Sequence, residues 1–200
     1  SVVLVQDAFT RYFETPLLAN FIQLAHQLGY RVFLAPYSAN GKPLHVQGFL
    51  GAFAKAAIRN GNQLKALADC GVPLVGLDPA MTLVYRQEYQ KVPGLEDCPK
   101  VLLPQEWLLD ALPDNPRPGS QTFRLLAHCT EKTNAPASTS QWQAVFAKLG
   151  LTLVAEATGC CGMSGTYGHE ARNRDTSRTL FEQSWASKLD KPGEALATGY

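Results

Sequence analysis

The stretch "ATGCCGMSGTYGHEARN", residues 157–173, sets Cys160 and Cys161 side by side in a chain of 200 residues with five cysteines in all. Neighbouring cysteines rarely bond to each other, because adjacent Cα atoms lie too close for unstrained disulfide geometry. Two thiols on one tight loop are also a poor way to fill a core. Ligation of a metal is the remaining chemistry, and a third thiol, Cys129 in "LLAHC", precedes the pair across 30 intervening residues. Three thiolates suit an iron–sulfur centre, while tetrahedral zinc also accepts thiolates and has His128 or His169 as a further donor. Cysteine hydrolase chemistry needs a thiol, a base and an orienting acid, for which only Cys161, His169 and Glu170 stand near one another. Gly159, Gly162, Gly165 and Gly168 suit a loop that bends sharply and brings backbone amides to a ligand. Amides aimed at cluster sulfurs help set a reduction potential, so Gly162, directly after the pair, joins Cys129, Cys160 and Cys161 as an expected cofactor-binding residue. His128 reads as a satisfied histidine at a strand end, and His169 as a residue that caps or begins the next helix. Cys70 in "ADCGVP" and Cys98 in a Pro-rich stretch read as structural. No Walker loop, dinucleotide fingerprint or nucleophile elbow competes with the thiols.

Alternating strands and helices must position these residues. Strand-like "VVLV" (Val2 to Val5) is followed by helical "PLLANFIQLAHQLG", strand "YRVFLAP", helix "GFLGAFAKAAIRNGNQLKALADCG" and strand "VPLVGL". "TFRLLAH", "STSQWQAVFAKLG", "LTLVAEA", the cysteine loop, "RDTSRTLFEQSWASKL" and "EALAT" repeat that order. Such alternation implies an α/β fold with parallel sheets covered by helices. Cys129 would then end one strand and the Cys160–Cys161 pair would follow the next, at the carboxyl ends where such folds place ligands. Leu180, Phe181, Trp185 and Leu189 recur at helical spacing and read as core packing.

An offset of 121 residues carries Leu28-Gly29 onto Leu149-Gly150 and "YRVFLAP" onto "LTLVAEA" without a gap. Ala8 then falls on Cys129, and Ala39-Asn40-Gly41 on Cys160-Cys161-Gly162. The chain therefore reads as two related halves, an internal duplication in which the first half carries no thiol at the positions in question. The expected division is a first unit over residues 1–90, a Pro-rich connector over 91–120 with one short helix around "PQEWLLDAL", and a second unit over 121–200.

Lys and Arg exceed Asp and Glu by one, which gives no large field toward nucleic acid or an anionic membrane. No apolar run approaches the roughly 18 residues of a membrane span, and no signal-like leader is present, so a cytoplasmic location is expected. An odd cysteine count argues against a secreted disulfide scaffold. The sequence opens immediately on a strand and stops just after another, as a piece of a longer chain would.

"HC" at Cys129, "GCCGMSGTYG" after it and the terminal "ATGY" resemble the cysteine-rich CCG domain. That domain occurs in heterodisulfide reductase B subunits, glycolate oxidase iron–sulfur subunits and the carboxyl ends of FAD-linked oxidases of the D-2-hydroxyglutarate dehydrogenase type, to which the likeness is strongest. "DAFTRYFE", "GKPLHVQGFL" and "VGLDPAMTLVYRQEY" look like the first CCG unit, without its cysteines. The resemblance implies that Cys129, Cys160 and Cys161 ligate a 4Fe-4S cluster, with a further cysteine following the Gly-Tyr in the family pattern. It implies FAD on another domain, a ferredoxin-like domain beside it, and an electron acceptor through which the protein could associate with a membrane. The function implied is electron relay from flavin-dependent oxidation of a D-2-hydroxy acid, with this portion not catalytic by itself. A docking module with structural zinc or no metal, binding a partner domain or subunit, is the alternative.

Overall fold

The computed structural model describes residues 1–114 and 119–199. Pro116 and Pro118 of the expected connector, and Tyr200 of the terminal motif, lie outside the described residues. The chain forms two compact units, Ser1–Ala111 and Leu112–Tyr200, each an α/β arrangement on its own three-stranded parallel sheet. Among the described residues no helix is long and apolar enough to cross a membrane.

In the first unit β1 (Val2–Val5) is central, with β2 (Val32–Leu34) and β3 (Leu74–Gly76) on either side. Helices cover both faces of a parallel sheet, which is why its middle strand is an unbroken and fully buried apolar run. Asp7 caps α1 (Ala8–Tyr12) by accepting hydrogen bonds from the amides of Phe9 and Thr10. Helix α2 (Thr15–Gln27) leads to β2, and the short α3 (Lys42–Val46) precedes α4 (Leu50–Ala68). Phe53, Ala56, Ala57, Asn60, Gly61 and Leu64 of α4 are buried at helical spacing. Asp78 caps α5 (Pro79–Arg86), which buries Leu83, Val84 and Tyr85. The stretch expected as a connector carries real packing: Val92, Leu95, Val101 and Leu103 are buried, as is Trp107 of α6 (Pro104–Ala111). Leu102 also pairs with Val75 as an added edge of the sheet, its amide donating to the Leu74 carbonyl over 2.8 Å.

The second unit repeats this order with β4 (Thr122–Leu126) between β5 (Thr152–Ala155) and β6 (Glu194–Ala197). Between the strands lie α7 (Cys129–Asn134), α8 (Ser138–Lys148), α9 (Arg174–Phe181), a π-helical turn over Glu182–Ala186, and α10 (Ser187–Leu189). The strand registers correspond at the offset read from the sequence. Val3 opposite Phe33 and Leu74 becomes Arg124 opposite Val154 and Ala195, and Leu4 opposite Leu34 and Val75 becomes Leu125 opposite Ala155 and Leu196. The helix ends correspond as well: Tyr30 N–H donates to Ala25 O, and Leu151 N–H to Phe146 O.

The cores differ. Val3 packs in the apolar cluster of the first unit, whereas its counterpart Arg124 is a buried cation. Its guanidinium donates to the carbonyls of Lys188, Lys191 and Gly193, fastening the turn before β6 to β4, and faces Glu156 at 3.5 Å. Leu125, Ala127 and Leu153 form a small buried cluster with Phe123, Trp142, Phe146 and Leu196 against it. The expectation that Leu180 and Leu189 pack in a core is not met, since they are 37% and 47% exposed.

Candidate functional site

Parallel β4 and β5 end at one edge of their sheet, and the three thiols follow those ends. Cys129 lies three residues past β4, not on the strand as expected but as the first residue of α7. His128 is the reason: its extended backbone starts the helix, and its Nδ1 accepts from the Thr130 amide over 3.2 Å. The Cys160–Cys161 pair lies five residues past β5 on an irregular loop. All three thiols are partly exposed, whereas Cys98 is buried and Cys70 exposed. Burial is the main cause that raises the Cys129 pKa; the charges of Cys160 and, more weakly, Cys161 add to it, and hydrogen bonding with Thr130 works against it. Among the described residues no three His, Cys, Asp or Glu side chains gather closely enough to hold one metal ion. A tetrahedral ion would need its sulfurs about 3.8 Å apart. A cluster binds each thiolate through a different iron and spreads its ligands wider. By type, three thiolates are donors that an iron–sulfur cluster takes.

The loop is shaped by Gly162, which has φ of +89° and is buried. A Cβ there would run into the Ser177 carbonyl oxygen, so a side chain is excluded by both conformation and space. In that conformation the Gly162 amide donates to Cys160 Sγ over 3.3 Å. His169 closes a 3-10 turn, Tyr167–His169, and is exposed.

Several residues that fix this loop have no signature in the sequence. Lys132 of α7 donates to the carbonyl and hydroxyl of Thr158, tying the Cys129 helix to the cysteine loop. Ser184 Oγ accepts from the Gly159 amide, and Trp185 Nε1 donates to the Gly159 carbonyl over 3.2 Å. Both belong to the π-helical turn, a distortion that re-aims side chains and is frequent at functional sites. Trp185, expected as core, thus acts as a clamp. Glu131, 1% exposed, accepts from Ser138 Oγ, Trp142 Nε1 and Thr198 Oγ1, and Thr198 Oγ1 in turn accepts from the His128 amide over 2.9 Å. A carboxylate in the first turn of a helix ordinarily reads as a solvated residue favoured by the helix dipole. Only the tertiary fold brings Thr198 to it.

The first unit shows the same geometry without thiols. Ala8 begins α1, and Ala39 and Asn40 precede Gly41, whose φ of +78° matches that of Gly162. Asn40 is buried: its Nδ2 donates to Met81 O over 3.2 Å, its Oδ1 accepts from the Lys42 amide, and Tyr89 donates to its carbonyl. Polar and apolar side chains fill the space there.

No family model matches the chain. It is 83% identical over its whole length to D-2-hydroxyglutarate dehydrogenase of Pseudomonas putida and 42% identical, again over its whole length, to the enzyme of that name from Escherichia coli. In each case the chain spans 20% of the relative. It is 29% identical over 94% of its length to a subunit of the anaerobic glycerol-3-phosphate dehydrogenase of Escherichia coli, covering 51% of that protein. The chain is therefore similar, from end to end, to a portion amounting to about a fifth of these bacterial D-2-hydroxyglutarate dehydrogenases.

Proposed function

We propose that the chain is a CCG-type iron–sulfur portion of a larger FAD-linked 2-hydroxy-acid dehydrogenase. Its first unit is a half that has lost its ligands, and its second unit is the half that binds. The observation that supports this reading is the placement of Cys129 and the Cys160–Cys161 pair after the carboxyl ends of the adjacent parallel strands β4 and β5, in a unit whose register repeats that of a thiol-free half. The likeness to D-2-hydroxyglutarate dehydrogenases supports the substrate class, and the likeness to a glycerol-3-phosphate dehydrogenase subunit supports membership in a dehydrogenase assembly.

One-electron relay between a flavin elsewhere and an acceptor is the chemistry that a bound 4Fe-4S cluster supplies. Cys129, Cys160 and Cys161 would hold it, with a further donor from outside the described residues. The Gly162 amide, already directed at Cys160 Sγ, stabilises negative charge on that sulfur. Lys132, Ser184 and Trp185 keep the loop in place, so ligation requires little reorganisation.

Mixing the full-length protein anaerobically with D-2-hydroxyglutarate tests the relay. A visible absorbance change from this cluster is expected after flavin reduction and should be absent from Cys160→Ser. A loaded cluster that stays silent while the flavin turns over would favour a structural or docking role.

A further inference from the structure

We infer that Glu131 is a positioning residue that locks the end of β6 against the Cys129 helix. The inference rests on the function proposed above. Glu131 stands two residues after Cys129, one half-turn along α7, and is 1% exposed. Trp142 Nε1 can only donate, so Oε1 accepts from it at 3.1 Å. Thr198 Oγ1 accepts from the His128 amide and is hydrogen-bonded to Oε2, so it links the start of α7 to the carboxylate.

The topology gives this contact its meaning. Thr198 follows β6 directly, the third strand of the sheet, and β6 lies next to β4, whose end carries His128 and Cys129. Glu131 therefore binds together the approach to Cys129 and the exit of the third strand, while Ser138 and Trp142 anchor the same carboxylate to α8. The first unit lacks this device. Thr10 stands at the position of Glu131 and bonds Asp7 beside it, and Leu77 stands at the position of Thr198. The carboxylate bridge is present only in the half with thiols.

Two variants separate placement from bulk stability. Glu131→Ala removes both acceptors, and Thr198→Val severs only the link to β6. In the metal-free chain, amide exchange over residues 194–199 and at His128 should speed up about ten-fold in both variants, with residues 152–155 unchanged. In the anaerobically reconstituted full-length protein, both should release iron to a chelator about ten-fold faster than wild type. Glu131→Gln keeps most of the shape and one acceptor oxygen, so it should retain iron better than Glu131→Ala and restore part of the exchange protection. A loaded wild type, with exchange and iron release both unchanged in the variants, would overturn this inference and leave the proposed function standing. A full-length wild type that holds no iron through the three cysteines would overturn the proposed function, and the exchange rates alone would then decide whether Glu131 secures β6.

Discussion

Cys98 and Cys70 show how burial alone separates thiols of one chain. Burial pushes the Cys98 pKa up to about 11, while Cys70 is exposed at the end of α4. A thiol with that pKa is only about one-thousandth ionised at pH 8, so iodoacetamide at that pH should label Cys70 in the native chain and Cys98 only after unfolding. Gly162 and Gly165 make a second contrast, because both have positive φ but only Gly162 is crowded. Gly165→Ala should cost about 1 kcal/mol from conformation. Gly162→Ala should cost at least about 3 kcal/mol, since its Cβ would also collide with the Ser177 carbonyl. Urea midpoints of the two variants, followed by a probe in the second unit, check this ordering. At this scale the sequence was legible wherever a residue type announces its chemistry, as with vicinal thiols followed by glycine. Glu131 was illegible because its role depends on Thr198, 67 positions away.

The strands and their register were readable because buried parallel strands are short apolar runs and the duplicated halves keep one spacing. Local chemistry moved one boundary: His128 caps a helix, so Cys129 opens α7 instead of closing β4. Long-range chemistry changed the role of the segment from α9 to α10. Its apolar spacing suggested a buried stripe, yet the π-helical turn directs Ser184 and Trp185 to Gly159 and leaves Leu180 and Leu189 exposed. Arg124 is the element that polar bonding, not apolar burial, holds in place. Arg124→Leu would strip three carbonyls of their donor and Glu156 of one of its two cationic partners, and should destabilise the second unit by about 3 kcal/mol, read as a lower denaturation midpoint. The same turn also responds to acid. Its hydrogen bond from Lys191 holds the Glu156 carboxyl below the usual carboxylate range, against a weaker upward push from desolvation, with help from Arg124. The stabilisation is therefore complete above the unfolded carboxylate pKa of about 4.3 and is lost as pH falls through the lower folded value. Amide exchange in residues 188–194 of wild type should rise over that acid window, and Lys191→Met should flatten the rise.

The two units differ as wholes. The first gathers Val3, Val5, Phe53, Leu64, Tyr85, Tyr89 and Leu95 into one buried cluster, whereas the second combines a small apolar cluster with the Arg124 and Glu131 networks. Apolar burial stabilises by about 25 cal/mol per Å², and polar networks contribute little net stability, so the second unit should open first. Native-state exchange of the metal-free chain should give lower opening free energies for β4–β6 than for β1–β3. The central claim, that Cys129, Cys160 and Cys161 hold one cluster, is most directly tested by iron and sulfide analysis of the anaerobically reconstituted full-length protein beside its triple serine variant. The variant should contain about four fewer irons and four fewer sulfides per chain, with its other centres intact. Equal iron and sulfide in the two proteins would contradict it.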